Sequence, residues 1–316
     1  MADPNLGQLA STTLRNRSTD VSDDVTNNNA LLAYLKKEGK IETRTGGRTY
    51  VEPTIYAEND TAKFYDGGME SFVIPVSSQV DASEWSRAFQ AGFIYFTEAE
   101  KQANRGKAQA INLVNQKIRA LKATLANDFS TSLYADGTGS NEIQGLQAIV
   151  ADDPTTGTVG GIDAATYTWW RNLYNTSTTA SSSNIVSTMT ATWLNTIRGT
   201  DKPDLIVAGN DMFTYYNDSL QADQRYTTWD KADVLNFEGL RFQSAMVLFD
   251  PTCATKRMYG LNTNDLTLVC DPGRKWATGS HREIQNATYE VVPCLWSGTL
   301  LTCRRSSHFV IEGTSA

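Results

Sequence analysis

A chain of 316 residues, 40% hydrophobic and 20% charged, can bury a substantial core and is too apolar to behave as a disordered polymer. Its formal net charge of −7 argues against a protein that gathers nucleic acid by neutralising phosphates, and it has no apolar run of the roughly 18 residues that cross a bilayer. The four cysteines, Cys253, Cys270, Cys294 and Cys303, lack C-x-x-C spacing, which argues against zinc and thioredoxin-type chemistry; they read as small apolar side chains on strands. Without a hydrophobic signal segment at its start, the chain is expected to be made and kept in the cytoplasm.

Residues 1–29 are rich in Ser, Thr, Asn and Asp and read as an arm that orders only on another surface. A short helix follows through Ala30, Leu31, Leu32, Tyr34 and Leu35, stopping at Lys36, Lys37 and Gly39. Residues 48–56 form a strand-like run in which Pro53 points to an edge or a free-standing hairpin. After a polar tip, residues 71–76 read as the returning strand. A lone hairpin is marginally stable in water, so this one is predicted to pack on a neighbouring subunit through Tyr50, Tyr56, Phe64, Tyr65 and Phe72, with Lys63 at its tip. The next strand, 85–96, presents Trp85, Phe89 and Phe93, which are expected to pack on the helix that follows.

That helix is predicted as one piece over 97–136. Ile111, Val114, Ile118, Leu121, Leu125 and Phe129 recur at steps of three and four, which places them on one stripe. Thr97 and Glu100 have capping-box spacing, and Gly137 suits a left-handed close. The length would be about 55–60 Å, against an ordinary helix of about 11 or 12 residues. Gly106 is a local weak point within it and a candidate hinge, with close packing against a strand as the competing reading.

Residues 152–161 and 175–184 are rich in Thr, Gly, Ser and Asp and read as loops, with Tyr167, Trp169, Trp170 and Leu173 as an apolar anchor between them. A helix over 187–198 carries Met189, Trp193 and Ile197. The buried run Leu205 to Ala208 then yields, at Asn210 or Asp211, to a helix with Phe213, Tyr216 and Leu220. This is a small α/β layer, with antiparallel strands expected beyond it.

Catalytic chemistry has little to stand on. His281 and His308 lie in no hydrolase or metal motif and read as ordinary surface or interfacial histidines. Asp152 and Asp153, beside Pro154, read as a turn more than as a cation site. Residues 157–161 lack the Lys-Ser/Thr of a phosphate loop. No catalytic, cofactor or metal residue is assigned.

The long helix running into DGTGSNEIQGL (136–146) resembles the spine helix and Gly-rich turn of tailed-phage major capsid proteins with the Hong Kong 97 (HK97-like) fold. Residues 203–213 are similar to that family's next core strand and helix, 237–249 to its strand after a variable loop, and 289–311 to its closing strands. The resemblance implies an α+β fold. Its parts would be an N-terminal arm (1–29), a peripheral domain (30–47 and 77–136, with the spine 97–136), an extended hairpin loop (48–76), an axial domain (137–282), and C-terminal strands (283–316) returning to the peripheral domain. It implies a structural protein that self-assembles into pentamers and hexamers, then an icosahedral shell enclosing double-stranded DNA without sequence-specific binding. It also implies portal and scaffolding partners and no membrane. The virion capsid would be assembled in the host bacterial cytoplasm. Some relatives cross-link through a Lys to Asn isopeptide bond; Lys63 occupies the matching place, but no Asn and Glu can be matched to it, and a solvated lysine is the preferred reading. The start at Met1 without a coiled-coil extension points to a separate scaffold, or none. An encapsulin-type compartment shell, or another self-assembling virion subunit, is the alternative.

Overall fold

The computed structural model describes residues 29–59, 61, 62, 64, 67, 68, 78–103, 113–139, 141–176, 179–220, 239–279, 282, 283 and 289–313. Helix α1 (Ala30–Lys37) starts where the Asn29 side-chain oxygen accepts the Leu32 N–H at 2.7 Å, and it ends with Lys36 and Lys37 at the negative end of its dipole. It leads into β1 (Ile41–Thr43). Strands β2 (Thr49–Ile55) and β3 (Val80–Ser86) form a two-stranded antiparallel hairpin whose register sets Tyr50 opposite Trp85. The strand returning to β2 is therefore 80–86; the expected one, 71–76, lies outside the described residues. The strand predicted over 85–96 is divided at Arg87, and its second part, β4 (Ala88–Thr97), joins a different sheet.

The capping box forms as read. Thr97 N–H donates to Glu100 Oε2 at 3.1 Å and Glu100 N–H to Thr97 Oγ1 at 3.3 Å, opening α2 (Glu98–Ala103). The single helix over 97–136 does not form. Lys117 Nζ, on α3 (Leu113–Leu133), lies 2.9 Å from Glu100 Oε1, whereas a continuous helix would hold these residues about 25 Å apart along its axis. The long helix is thus α3, about 31 Å over its 21 residues, with Leu125, Phe129 and Leu133 buried. Gly106 lies outside the described residues.

The glycine turn packs back on the end of α3. Gly137 is left-handed (φ 69°), and a Cβ on Gly145 would sit 2.5 Å from the carbonyl oxygens of both Ser132 and Ala135. Helix α4 (Leu146–Ile149) follows. Strands β5 (Thr158–Val159) and β6 (Ile162–Asp163) join through Gly160 and Gly161, both at positive φ as a tight hairpin of this kind requires. Trp170, fully buried, donates its indole N–H to Val159 O at 2.9 Å.

The remaining elements are β7 (Leu173–Asn175), α5 (Ile185–Thr196), β8 (Leu205–Ala208), α6 (Asn210–Ser219), β9 (Gly239–Phe242), β10 (Ala245–Phe249), β11 (Arg257–Leu261), β12 (Leu266–Cys270), β13 (Ala277–Thr278), β14 (Arg282–Glu283), β15 (Tyr289–Thr302) and β16 (Phe309–Glu312). They build two sheets. In the first, the 14-residue β15 pairs with β4, β12, β13 and β14, and β1 pairs in parallel with β12. The second runs β7-β16-β11-β8-β10-β9.

Strand β8 is buried on both faces, as a continuous apolar run should be. Ile206 and Ala208 pack with Met189, Met212 and Phe309 beneath α5 and α6, while Leu205 and Val207 face the core shared with the first sheet. Two expected memberships are corrected by this topology. β12, expected with the axial layer, pairs with β15, and β16, expected to return with the peripheral strands, pairs with β11 and β7 in the second sheet. The chain crosses from one sheet to the other twice in its last 60 residues, which periodicity within a strand cannot reveal.

Candidate assembly surfaces

Along β4 alternate side chains point to opposite faces. The even face is the one against α3: Gly92 approaches Leu121 and Leu125 so closely that a Cβ would meet the Leu121 methyl at 2.6 Å, and Gln90 Nε2 donates to Leu125 O at 3.1 Å. The odd face is therefore turned outward. Phe89, Phe93 and Tyr95 are 62%, 64% and 60% exposed. The expectation that Phe89 and Phe93 pack on the long helix is overturned by this parity, since the close-approach glycine sits on the other face. Across the ladder, Val291 stands opposite Tyr95, Pro293 opposite Phe93 and Leu295 opposite Ala91, so the apolar stripe continues onto β15, where it is largely covered: Pro293 is buried and Val291 and Leu295 are half-buried. Tyr289 closes it edge-on to Tyr95, with ring centres 6.4 Å apart.

The hairpin is apolar outward at its far end and inward at its base. Ile55 and Val80, directly opposed, are exposed, as is Val51. At the base, Tyr50 is only 4% exposed, packs beside Trp85 and lies under the Arg87 guanidinium at 4.7 Å. Its ring belongs to the subunit's own core, because the register that buries Trp85 buries its cross-strand partner too. Thr54 Oγ1 donates to Cys303 O at 2.6 Å, and Arg44 forms an ion pair with Glu52, so the hairpin is anchored to the body. Tyr56 stacks on Trp169 with centroids 4.9 Å apart, and Phe64 is fully exposed. Lys63, Tyr65 and Phe72 lie outside the described residues.

The titratable groups are used inside the fold. Asp152 pairs with Arg257 at 2.6 Å, and Asp153 accepts from the Thr155 backbone N–H at 3.1 Å and its hydroxyl at 2.5 Å, as a turn residue does. Arg257 also reaches Glu312 at 3.1 Å. His308 is wholly buried, not at the surface as its sequence context suggested; His281 lies outside the described residues. Cys253, Cys270 and Cys294 are buried and Cys303 half-buried, all as free thiols, and burial pushes the Cys253 thiol up.

No protein-family model and no curated protein sequence matches the chain. Solved structures do match, along almost its full length. The capsid asymmetric unit of cyanophage A-1(L) superposes with a TM-score of 0.73 at 16% identity, covering 96% of this chain and 98% of that one. The chain has the Hong Kong 97 capsid fold. A chain from the capsid of Myoviridae phage XM1 matches with a TM-score of 0.58 at 12% identity over 95% of this chain and 97% of its own. A chain from the capsid of a native GTA particle matches with a TM-score of 0.61 at 10% identity over 94% and 95%. No motif marks the outward face of β4. The signal was present in the alternation Phe89, Ala91, Phe93, Tyr95 against Gly92, the one residue on that strand with no side chain to hold off a helix.

Proposed function

We propose that the chain is the major capsid subunit of a tailed phage, whose copies associate as pentamers and hexamers and close as an icosahedral shell around double-stranded DNA. The observation that supports this reading best is a capsid fold matched over almost the whole chain and joined to a row of largely exposed aromatic side chains, Phe89, Phe93 and Tyr95, on the outward face of β4. Contiguous exposed apolar area of this kind marks association surfaces. Phe89, Phe93 and Tyr95 would meet a second copy, with Tyr56 and Phe64 from the hairpin side.

Function on this reading is assembly, not catalysis. Portal and scaffolding proteins are the expected partners, the virion capsid is the location, and the host cytoplasm is where shells form. The net acidity suits a wall that does not grip the polymer it encloses.

Electron microscopy of the purified full chain tests the proposal. Capsomers or closed shells are expected; a monodisperse monomer at high concentration overturns it. Closed shells that copurify with an enzyme cargo and no DNA-packaging partners would reassign it to a compartment shell of encapsulin type.

A further inference from the structure

The chain crosses between its two sheets by two neighbouring connections, 262–265 from β11 to β12 and 303–308 from β15 to β16. Two side chains tie them: Arg304 Nη2 donates to Asp265 Oδ2 at 3.0 Å near the outside, and His308 does so in the interior. His308, with no exposed surface, accepts the Asn262 backbone N–H on Nδ1 at 3.1 Å and places Nε2 3.0 Å from Thr302 Oγ1 at the end of β15. A backbone N–H can only donate, so Nδ1 carries no proton and the imidazole is the neutral Nε2–H form.

We propose that His308 is an acid-releasable latch between the two connections: neutral, it holds one crossing to the other, and on protonation it opens the junction between the sheets before either sheet comes apart. A proton on Nδ1 sets N–H against N–H at hydrogen-bond distance, so the bond to Asn262 is lost, not weakened.

The surrounding charges leave the imidazolium no relief. Arg304 and Arg305, from the histidine's own connection, oppose a further positive charge. Asp201, from the segment preceding β8, favours it, but its oxygens are already taken by Arg304 and by Asn262 Nδ2 at 2.6 Å. Asp265, on the other connection, accepts from Arg304 at 3.0 Å and from Asn262 at 3.2 Å, and Asp204 accepts the Thr263 N–H at 2.8 Å. Burial, with the two guanidiniums, pushes His308 down to about 3 from its ordinary 6.5.

The sign follows from linkage. A state in which the imidazole is released binds a proton below its ordinary pKa and the closed state does not, so closure is fully favoured above about 6.5 and weakens as pH falls towards 3. Asp201, held below the usual carboxylate value by its hydrogen bonds to Arg304 and Asn262 against the opposing pull of burial, weakens the junction only below about 4. The two windows separate.

Hydrogen–deuterium exchange with mass spectrometry on the purified full chain, corrected for the pH dependence of intrinsic exchange, reads the latch directly. Peptides covering 262–265 and 303–308 are expected to lose up to about 100-fold in protection between pH 6.5 and pH 4.5, tenfold per unit for one proton, while β8 keeps its own. His308→Asn, which retains an acceptor for Asn262 but does not titrate, is expected to flatten that dependence; Asp201→Asn is expected to leave its slope in place. An unchanged slope in His308→Asn overturns the proposal. Should that variant not fold, the wild-type comparison decides: loss of protection in β8 together with the connections overturns it, and loss confined to the connections supports it.

Discussion

The junction between the sheets and the outer face of β4 treat the two kinds of surface in opposite ways. At the junction, buried polar groups are for the most part matched to one another within the chain, Arg304 Nε and Arg305 Nη1 excepted; on β4, Phe89, Phe93 and Tyr95 are left largely exposed to water. A buried donor without an acceptor costs the subunit free energy at once, so those groups have to be matched when the chain folds. Apolar area carries no such obligation. Left uncovered by the fold, it remains as driving force for association at about 25 cal/mol per Å². Folding and assembly are therefore supported by different residues, and changes at the two places should separate them.

The largest expected effect is at Asp250, a buried carboxylate that accepts the Leu31 N–H at 3.3 Å, the Tyr134 hydroxyl at 2.8 Å and the Thr252 N–H at 2.9 Å. It ties α1 and the chain beyond α3 to the end of β10. Asp250→Ala strands three donors inside the protein and should lower subunit stability by about 3–5 kcal/mol, seen as a shift of the urea midpoint. A loss below 1 kcal/mol would mean that water reaches these groups and that the carboxylate is not closed off from solvent.

On the other side of the comparison, Phe89→Ser with Phe93→Ser should leave the subunit within roughly 0.5 kcal/mol of wild type and weaken each contact between copies by about 2–3 kcal/mol. Sedimentation velocity would then find folded subunits in place of capsomers. Unfolded protein would show that the face belongs to the subunit's core after all.

How far these regions were legible differs for a physical reason. Signals within one turn or one strand could be read: the Thr97–Glu100 box, Gly137, and the apolar run at 205–208 all appear where expected. Signals that depend on which strand lies beside which could not. Nothing within β12 or β16 says that they exchange sheets, and periodicity alone could not say that α3 is separate from α2; the contact of Glu100 with Lys117 does. The outward face is hard to read because an aromatic-rich strand before a helix looks like that helix's packing partner until the glycine is counted. His308 gave no sign at all, since its partners come from 46 and 6 residues away.

Gly92 gives a smaller and sharper test of which face of β4 is the inner one. Gly92→Ala drives a methyl into Leu121 and Leu125, and because the opposing atoms are the ends of flexible side chains the cost should be about 1–2 kcal/mol in thermal unfolding. Ala91→Gly on the outward face should not disturb the contact with α3, so a comparable loss of that packing there would reverse the assignment.

The smallest effect is at the start of α2. Glu100 is almost fully buried, completes the box with Thr97 and pairs with Lys117, whose ammonium also lies 5.4 Å from the ring centres of Tyr95 and Phe96. Burial alone would raise its carboxyl pKa, but the hydrogen bonds and charge of Lys117 together with the Thr97 N–H outweigh that and hold it below the ordinary 4.5. A carboxyl lowered in the fold stabilises above its unfolded pKa, and that contribution fades as pH falls through the folded value. Glu100→Gln keeps an acceptor for the Thr97 N–H and removes the charge, so it should cost about 1 kcal/mol at neutral pH and progressively less below about pH 4.5. Stability curves of the two proteins should thus converge in acid. Parallel curves down to pH 3 would mean that the ion pair joining α2 to α3 contributes nothing, and the link between the two helices would have to be sought in the packing of Lys117 on Tyr95 and Phe96.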